Sequence, residues 1–407
     1  MSAAPLFHAF AGYGIELEYM IVNQKTLSVM PIADTLLHDA AEVERGRFGW
    51  SNELVLHLVE LKNTSPDPDL APLAAGFQSE VNHINRLLEP MGARLMPSAM
   101  HPWMNPATET CLWQHDHAPI YQAYHHIFGC DQHGQANLQS MHLNLPFADD
   151  DEFARLHAAI RLVLPILPAL AASSPIADGK PTGFMDSRMD AYRTAVRRVP
   201  SVIGKVIPDT VTSRAMYQAE ILGTLYRDIA PLDPEGVLRH EWLNARGAIP
   251  RFNRNAIEIR VIDIQECPQA DLAIAAAVIA VVRALYDAPL ATQQAIATDA
   301  LVLILRDCIR EAEQAVIEDA EFLHRFGFPG RRCEARELWQ HLVETTFLDN
   351  PDPQWQKPLH VILEQGPLAR RILKAVGTDC DRARLESVYR ALCDCLEQGR
   401  QFSTDHG

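Results

Sequence analysis

The chain has 407 residues, of which 48% are hydrophobic and 22% charged, and its formal net charge is −16. This composition is typical of a soluble globular protein, and the length allows two or three domains or one large enzyme domain. The negative charge disfavours general binding to nucleic acid or to anionic membranes. A chain this acidic that used a polyphosphate would need metal ions, arginine or lysine to mask its charge locally.

The sequence gives no sign of a targeting or membrane-spanning segment. Residues 1–10 have neither a basic flank nor a long apolar core, so we expect no signal peptide. The longest apolar runs, Leu162–Ala172 and Leu272–Val282, are too short to span a bilayer. Eight cysteines are scattered along the chain, and the close pair Cys393 and Cys395 lacks zinc-site partners. We therefore expect a cytoplasmic protein with reduced thiols.

The first strong pattern is a predicted β-strand from Gly14 to Val22, which is rich in β-forming residues and contains no proline. Side chains alternate along a strand, so Glu16 and Glu18 should share one face, about 7 Å apart. Paired carboxylates of this kind are typical ligands of hard divalent cations such as Mg²⁺. On this strand alone, a solvated outer face is the favoured interpretation, and the case for a metal site depends on later segments.

A second predicted strand, from about Glu53 to Lys62, follows a predicted helical piece at Ala33–Val43. Its alternation places Glu60 and Lys62 on one face, where Glu60 either reaches a pocket rim or simply pairs with Lys62. Two further elements are predicted next: a helix at Ala71–Leu88 and a strand at Arg94–Met100.

Residues 104–134 form an irregular tract that is rich in histidine. The histidines are His115, His117, His125, His126 and His133. Such a cluster could bind zinc, but it lacks cysteine or acidic partners at tight spacing. We favour a loop over the active site, with a short helix near Tyr121–Phe128, because long loops in compact domains are usually functional.

Another strand is predicted at Asn137–Phe147, with His142 and Asn144 on one face. His142 is either a satisfied core histidine or a ligand aimed at the same pocket as the carboxylates. The following helix, Asp151–Ala172, should be kinked or broken by its two internal prolines.

Four arginines follow a turn-rich loop at residues 178–183. They are Arg188, Arg193, Arg197 and Arg198. In so acidic a chain, this concentration indicates a phosphate or carboxylate site. For the last three, a solvated helix face is an equally open interpretation.

The last strong strand is predicted at Ala256–Ile264, where Glu258, Arg260 and Ile262 should share a face. A carboxylate beside a guanidinium is either a structural ion pair or a way to hold a metal and a phosphoryl group together. Short strands are predicted near Met216–Leu225. Helices are predicted at about 270–287, 293–323, 333–347, 356–375 and 380–400.

The absence of a clear linker predicts one α+β domain over residues 1–407, with a sheet-containing core at 10–285 and a helical part at 286–407. Neither a P-loop nor a strand-linked G-x-G-x-x-G motif occurs.

Five segments in this order resemble the glutamate–cysteine ligase family, in particular its bacterial type 2, or carboxylate–amine ligase, branch. They are Gly14–Glu18, Val59–Pro66, Met141–Asn144, Leu170–Arg188 and Ile257–Asp263. The resemblance implies the fold of the glutamine synthetase catalytic domain, a curved, mainly antiparallel half-barrel with outer helices. It also implies ATP, Mg²⁺ or Mn²⁺, and an acyl phosphate made on a substrate carboxylate.

The resemblance further implies roles for individual residues. The metal ligands would be Glu16, Glu18, Glu60, His142 and Glu258, and the nucleotide would contact Lys62, Asn144 and Arg260. Arg260 would stabilise the transferred phosphoryl group, and Arg188 the acyl phosphate or the substrate carboxylate. Residues 104–134 and 200–250 match nothing in the family pattern, so the amine substrate is the least determined part.

Three functions remain open from the sequence. The first is an ATP-dependent carboxylate–amine ligase that forms an amide, with glutamate and cysteine as the leading substrates. The second is a small-molecule phosphotransferase on the same fold, and the third is a non-catalytic nucleotide-binding regulatory protein. The ligase is favoured because a protein without catalysis has no need of this set of acids, histidine and arginine. An assembly of identical chains is compatible with each function.

Overall fold

The computed structural model describes residues 6–347 and 353–403. Within these residues the strands form one large sheet and two short two-stranded sheets. In chain order the strands are β1 Gly14–Asn23, β2 Glu42–Arg45, β3 Phe48–Asn52, β4 Leu58–Asn63, β5 Ala93–Met96, β6 Ser140–Pro146, β7 Ile176–Ala177, β8 Lys180–Pro181, β9 Ala248–Arg251, β10 Ala256–Asp263, β11 Val316–Ile317 and β12 Cys333–Glu334.

The large sheet has the order β2-β3-β4-β1-β6-β10-β9, and β5 pairs with the far end of β1. All neighbouring strands in it are antiparallel. Strands β2 and β9 form its two edges, so the described strands make an open sheet and not a closed barrel. Together with the outer helices and the helical C-terminal part, this confirms the predicted α+β, glutamine synthetase-like fold class.

Helices surround the sheet and make up most of the chain after β10. The α-helices are Ala33–Leu37, Leu70–Leu88, Pro106–Glu109, Ala118–Phe128, His133–Ala136, Asp150–Val163, Leu167–Ala171, Ser187–Ala195, Arg214–Met216, Gly223–Ile229, Pro268–Tyr286, Leu290–Gln294, Thr298–Glu311, Ala320–Arg325, Ala335–Phe347, Pro353–Gln365, Leu368–Val376 and Arg382–Gln398. A π-helix at Tyr217–Leu222 joins two of them.

The alternation along β1 gives the sheet two chemically different faces. Ile15, Leu17 and Tyr19 are fully buried on one face, where the helices pack against them. Glu16 and Glu18 project from the other face, as the period of a strand requires. The hydrophobic core therefore fixes the register of β1, because a slip by one residue would exchange the two sets.

A β-bulge in β10 changes which residues face which side. The pairing with β6 shifts between Ile259 and Ile262, so one extra residue enters β10 at this point. Ile262 is consequently buried with the core, and Asp263, opposite Ser140, takes the polar face. The prediction that Ile262 shares a face with Glu258 is wrong, because simple alternation does not pass through a bulge.

Several predicted elements have different bounds. The helix at Ala33–Leu37 is shorter than predicted, because His38 and Asp39 both have positive φ angles and end it. Residues 53–57 bend before β4 and do not belong to it. Strand β9 was not predicted, because it contains Pro250, which the sheet accepts at its edge.

The region predicted as short strands near Met216–Leu225 is helical. Ser213 caps the first turn by accepting a hydrogen bond from the Met216 amide. Tyr217, Ile221 and Leu225 are buried at helical spacing, so their contacts with the core decide the conformation.

Prolines and glycines divide the other helices as chain geometry requires. The helix that begins at Asp150 breaks into a 3₁₀ turn at Leu164–Ile166, as its prolines predicted. The predicted helices at 293–323 and 356–375 are each interrupted, the second by Gly366 and Pro367.

Two helical stretches, Asp150–Ala171 and Pro268–Tyr286, have the length and composition to cross a membrane. Their most apolar windows are 94% and 72% buried inside the protein. Burial of this kind is typical of core helices in soluble proteins.

Candidate active site

The polar face of the sheet gathers the five predicted metal ligands. They are Glu16 and Glu18 from β1, Glu60 from β4, His142 from β6 and Glu258 from β10. The strand register places Glu18 opposite Glu60, and Glu16 opposite His142. All five are at most 9% exposed, so the sheet holds four carboxylates in a largely dry site.

His142 lies at the centre of these side chains. Its Nδ1 atom is 2.9 Å from a Glu16 oxygen and 3.8 Å from a Glu258 oxygen, and its Nε2 atom is 3.6 Å from Glu18. Ser140 fixes Glu18 through its backbone amide at 2.7 Å and its hydroxyl at 2.9 Å. The imidazole thus links strands whose carboxylates would otherwise repel one another.

The pKa values of the site reflect crowded negative charge. Burial alone would lower the pKa of His142, but the hydrogen bond with Glu16 and the charges of Glu18 and Glu258 raise it to about 9. Burial opposes ionisation of Glu16, yet the contact with His142 lowers its pKa to about 2. Burial, and then the charge of Glu16, raises the pKa of Glu60 to about 7. One imidazolium therefore does not balance the carboxylates.

The ligand atoms form two groups that share Glu60. Glu16, Glu60 and His142 make one group, and Glu18, Glu53 and Glu60 make the other. Within each group the ligand atoms lie within 4.8 Å of one another. Oxygen-rich groups with a single imidazole fit Mg²⁺ or Mn²⁺, which prefer oxygen ligands.

Glu53 is a candidate ligand that the sequence analysis missed. A strand through residues 53–62 would have turned Glu53 away from Glu60, but the bend before β4 turns it toward Glu60. Burial, and then the charges of Glu18 and Glu60, hold its pKa well above the usual range. Ser51 orients the shared residue by donating a hydrogen bond to Glu60 at 2.6 Å.

Arg260 borders the carboxylates on the side of β10. Its Nε atom is 3.0 Å from a Glu258 oxygen, and its side chain is 26% exposed. Arg251 donates a hydrogen bond to the other Glu258 oxygen at 2.7 Å. Glu258 therefore lies between two guanidinium groups, where the sequence indicated only one.

Arg188 is buried beside Arg260 at the start of its helix. Its Nε atom donates to Asp263, and its Nη1 atom donates to the Arg260 carbonyl at 3.3 Å. Asp263 is anchored in turn by the Ser173 amide and the Ser174 hydroxyl. The buried Nη2 atom of Arg188 has no hydrogen-bond partner among the described residues. A guanidinium that is held in place and keeps one unpartnered nitrogen can bind an anion.

On one side of the carboxylates a cleft of about 500 Å³ contains Lys62 and Asn144. We call it the nucleotide cleft, after the nucleotide contacts predicted for Lys62 and Asn144. Asn144 donates to Glu16 at 3.2 Å, and its buried Oδ1 atom has no partner in the described chain. Lys62 lies 3.1 Å from Glu42 and 3.6 Å from Glu60. Arg260, the third predicted nucleotide contact, does not line this cleft.

On the other side of the carboxylates lies a cavity of about 220 Å³, which we call the substrate cavity. Glu18, Glu53, His142, Arg188 and Arg260 line its polar part. Its remaining wall is largely apolar and aromatic and includes Leu54, Leu58, Tyr121, Tyr124, Tyr192 and Trp242. The polar cluster thus separates two hollows and faces both.

The histidine-rich tract contributes a wall to this cavity. Its helix Ala118–Phe128 supplies Tyr121 and Tyr124, which the sequence did not mark as functional. The histidines themselves are dispersed: His115 is 3.4 Å from Asp34, whereas His133 is 3.1 Å from Asp178. In the described residues the five histidines do not meet at one centre.

The arginines that follow Arg188 have structural contacts. Arg193 pairs with Asp190 on its own helix, and Arg198 donates to the Ile127 carbonyl. Arg197 is exposed. Among the four, only Arg188 lines the substrate cavity.

Comparison with known proteins assigns this architecture to a family. The model of glutamate–cysteine ligase family 2 matches residues 13–325, which include every ligand described above. The chain belongs to glutamate–cysteine ligase family 2. The family match extends beyond the predicted 10–285 core into the C-terminal helices.

Two relatives resemble this chain over most of its length. A Bradyrhizobium sp. (strain ORS 278) protein, provisionally named glutamate–cysteine ligase 2, is 27% identical over 77% of this chain and 74% of its own length. An uncharacterized protein of Archaeoglobus fulgidus is 31% identical over 96% of this chain and 99% of its own.

A solved structure shares the fold. The glutamate–cysteine ligase of Francisella tularensis, in complex with AMP, has a TM-score of 0.62 and 14% identity, over 96% of this chain and 89% of that chain. As a member of family 2, the protein is an ATP-dependent carbon–nitrogen ligase.

Proposed function

We propose that this protein joins the γ-carboxylate of glutamate, or of a close relative, to a small amine through an acyl phosphate. Cysteine is the leading candidate for the amine, because the family is named after it. The observation that carries the proposal is the pair of ligand groups sharing Glu60, with a nucleotide cleft on one side and a substrate cavity on the other.

Divalent metal, Mg²⁺ or Mn²⁺, would be held by Glu16, Glu60 and His142 and by Glu18, Glu53 and Glu60. Glu258 borders the first group through His142. When bound, the ions neutralise phosphate charge and align the reacting oxygens. Their charge would also counter the burial and the carboxylate repulsion that together raise the pKa values of Glu53 and Glu60.

The first chemical step requires two anions to meet. A carboxylate oxygen of the acid attacks the γ-phosphorus of ATP, the bond to the bridging oxygen breaks, and ADP leaves. Lys62 and Asn144 are placed to orient the nucleotide, and Arg260 to stabilise charge on the transferred group. Arg188, through its unpartnered Nη2 atom, would bind the α-carboxylate of the acid and fix its orientation.

In the second step the amine nitrogen attacks the acyl carbon, phosphate leaves with the electron pair of the carbon–oxygen bond, and the amine loses a proton. No protein nucleophile is needed, so the cysteines have no role in the scheme. Glu53, at the rim of the substrate cavity, is a carboxylate to which the entering amine can donate.

The proposed setting is the cytoplasm, with small-molecule substrates and neither nucleic acid nor membrane as a partner. The strong negative charge supports this view. Whether identical chains assemble is open to direct measurement by sedimentation.

An ATP-turnover screen of acid and amine pairs with Mg²⁺ tests the proposal. Phosphate release should require both an acid and an amine, whereas a phosphotransferase would need only one acceptor. Glutamate labelled with ¹⁸O in its γ-carboxylate should transfer one ¹⁸O to phosphate, because the acyl phosphate retains that oxygen. Unlabelled phosphate from a productive reaction would refute the acyl-phosphate route.

A further inference from the structure

The substrate cavity offers positive charge for a single carboxylate. Among the described residues that line it, the guanidinium groups are those of Arg188 and Arg260. Arg260 is paired with Glu258 at 3.0 Å, beside the ligands for phosphoryl transfer. Arg188 is paired with Asp263 and keeps one buried nitrogen unpartnered. Once the α-carboxylate of the acid binds Arg188, the unpartnered nitrogen of this residue is no longer available to a second carboxylate.

The other cations at or near the cavity do not add positive charge for a second carboxylate. The His142 ring, which also lines the cavity, is already in contact with Glu16, Glu18 and Ser140. Lys62 lies in the nucleotide cleft, where it contacts Glu42 and Glu60. Arg251 lies beyond Trp242, in a separate surface hollow, and donates to Glu258 at 2.7 Å. A second carboxylate in the cavity would instead lie beside the acids Glu18 and Glu53, and a divalent ion held by these acids would already be shared with the phosphates. An unpaired anion at a buried site is strongly unfavourable.

The rest of the wall suits an apolar group. Tyr192 donates its hydroxyl proton to the Ala245 carbonyl, whereas the hydroxyls of Tyr121 and Tyr124 accept from Asn52 and Gln135. Tyr121 and Tyr124 each keep one neutral O–H donor, which does not balance the charge of a carboxylate. The rings, together with Leu54 and Trp242, form an apolar surface next to the carboxylates. Such a surface favours an amine whose polar end is its nitrogen and whose remainder is apolar or aromatic.

We infer that the second substrate is a primary amine with an apolar body and without a carboxylate group of its own. This inference rests on the proposed function and narrows it, because it disfavours cysteine and every other free amino acid as the acceptor. The discriminating features are the unpartnered Nη2 atom of Arg188 and the acids Glu18 and Glu53 that line the same cavity.

Matched pairs of amines test the inference. Each pair differs only in the carboxylate: cysteamine and cysteine, phenethylamine and phenylalanine, tyramine and tyrosine. Glutamate-dependent phosphate release and product mass should show at least a tenfold higher kcat/KM for the decarboxylated member of a pair. Equal or better turnover with the amino acids overturns the inference.

Hydroxylamine separates this outcome from failure of the proposed function. As a small neutral nucleophile, it should convert the acyl phosphate to a hydroxamate without needing the apolar wall. If glutamate forms a hydroxamate but the amino acids are the better acceptors, the acceptor inference alone is wrong. If glutamate forms no hydroxamate with ATP and Mg²⁺, the proposed function fails and the inference falls with it.

A gain of charge provides the second test. Gln135 lines the cavity and is half-buried, and its side-chain amide donates to Tyr124. Gln135→Lys should supply the missing cation and shift the cysteine-to-cysteamine ratio of kcat/KM at least tenfold toward cysteine. Gln135→Met, which removes the same amide without adding charge, is the matched control. An identical ratio in both variants means that charge shortage does not set the preference, and the inference fails.

Discussion

At the scale of single residues, Glu60 has the most demanding position in the site. It belongs to both ligand groups, lies opposite Glu18 across the strands, and accepts a hydrogen bond from Ser51. Burial, and then the charge of Glu16, raises its pKa to about 7. A residue shared by two ions couples them, so it cannot be lost from one without affecting the other.

Glu60→Gln should therefore weaken both Mn²⁺ sites at least about tenfold, whereas Glu53→Gln should weaken only one. Mn²⁺ titration followed by electron paramagnetic resonance, with a non-hydrolysable ATP analogue present, distinguishes the two variants. Glu321→Gln, at an exposed position, is the control for the same chemical change. Wild-type Mn²⁺ binding in Glu60→Gln would remove Glu60 from the metal site.

Arg260→Lys should lower kcat by roughly 10²-fold or more, because an ammonium does not reproduce the planar guanidinium beside the transferred group. The free energy of unfolding should change by less than about 1 kcal/mol, since the side chain is partly exposed and the charge is kept. Steady-state kinetics and urea unfolding measure the two effects, with Arg306→Lys on the surface as control. Near-full activity would make Arg260 a structural partner of Glu258.

At the scale of elements, the substrate cavity depends on close contact between two short helices. Gly134, in the helix His133–Ala136, packs against Ala191 and Ala195 of the helix Ser187–Ala195. A Cβ atom at Gly134 would lie 2.6 Å from the Ala191 carbonyl oxygen. The first helix carries Gln135, and the second carries Arg188 and Tyr192, so their spacing sets the width of the cavity.

Gly134→Ala should cost about 1–3 kcal/mol of stability and raise KM for the acid, because overpacking moves the helices apart. Urea unfolding and steady-state kinetics report the two changes. Gly223→Ala is the matched control, since its new Cβ would have only an ordinary 3.4 Å contact. Equal behaviour of both variants would show that the contact at Gly134 does not position the cavity.

The sequence predicted the elements whose pattern is regular. The alternation in β1 and β6 was sufficient to predict which faces carry Glu16, Glu18 and His142, whereas their roles as ligands came from the family resemblance. Glu53 was missed because a bend, set by tertiary contacts such as the bond from the Leu56 amide to the Cys111 carbonyl, replaces the strand there. Tyr121 could not be identified either, because its role depends on where a distant helix lies relative to the sheet.

At the scale of the whole molecule, we propose that the 407 residues fold as one unit, with the sheet core and the C-terminal helices sharing one interior. Trp339 donates to the Ile166 carbonyl at 2.8 Å, and Arg371 forms a fully buried ion pair with Glu266. Arg371 also donates to the Phe402 carbonyl, which connects the end of the described chain to this pair.

Arg371→Met should lower the free energy of unfolding by about 3–5 kcal/mol, because it leaves Glu266 buried without its counter-ion. Unfolding in urea, followed by circular dichroism and by tryptophan fluorescence, should still show one shared transition. Two separate transitions in the unaltered protein would contradict the single unit. Arg332→Met, which breaks an exposed pair with Glu318, is the control.

His157 makes global stability depend on pH. Burial, and then the charges of Arg161 and Arg246, lower its pKa to about 3, and neither ring nitrogen has a hydrogen-bond partner among the described residues. The unfolded chain binds a proton at this histidine near pH 6.5, and the folded chain does not until about pH 3. The free energy of unfolding therefore includes the full contribution of neutral His157 above pH 6.5, and this contribution decreases as the pH falls below 6.5.

His157→Phe should reduce the loss of stability between pH 6.5 and 4 by up to about 1.4 kcal/mol per pH unit, the contribution of one proton. The ring should be accommodated, because His157 packs against Phe153 and Tyr217. Urea unfolding at several pH values gives the slope for each protein. An unchanged slope would mean that His157 is not the group that titrates.

The bulge in β10 has a consequence for comparing this protein with its relatives. One additional residue between Ile259 and Ile262 turns Asp263 toward Arg188. The number of residues in β10 at this point therefore determines which side chain faces Arg188. A homologue with a one-residue deletion here would present a different side chain to its arginine, even with an aspartate in the aligned column. Gap placement, and not identity alone, then decides whether the anchor of Arg188 has been inherited.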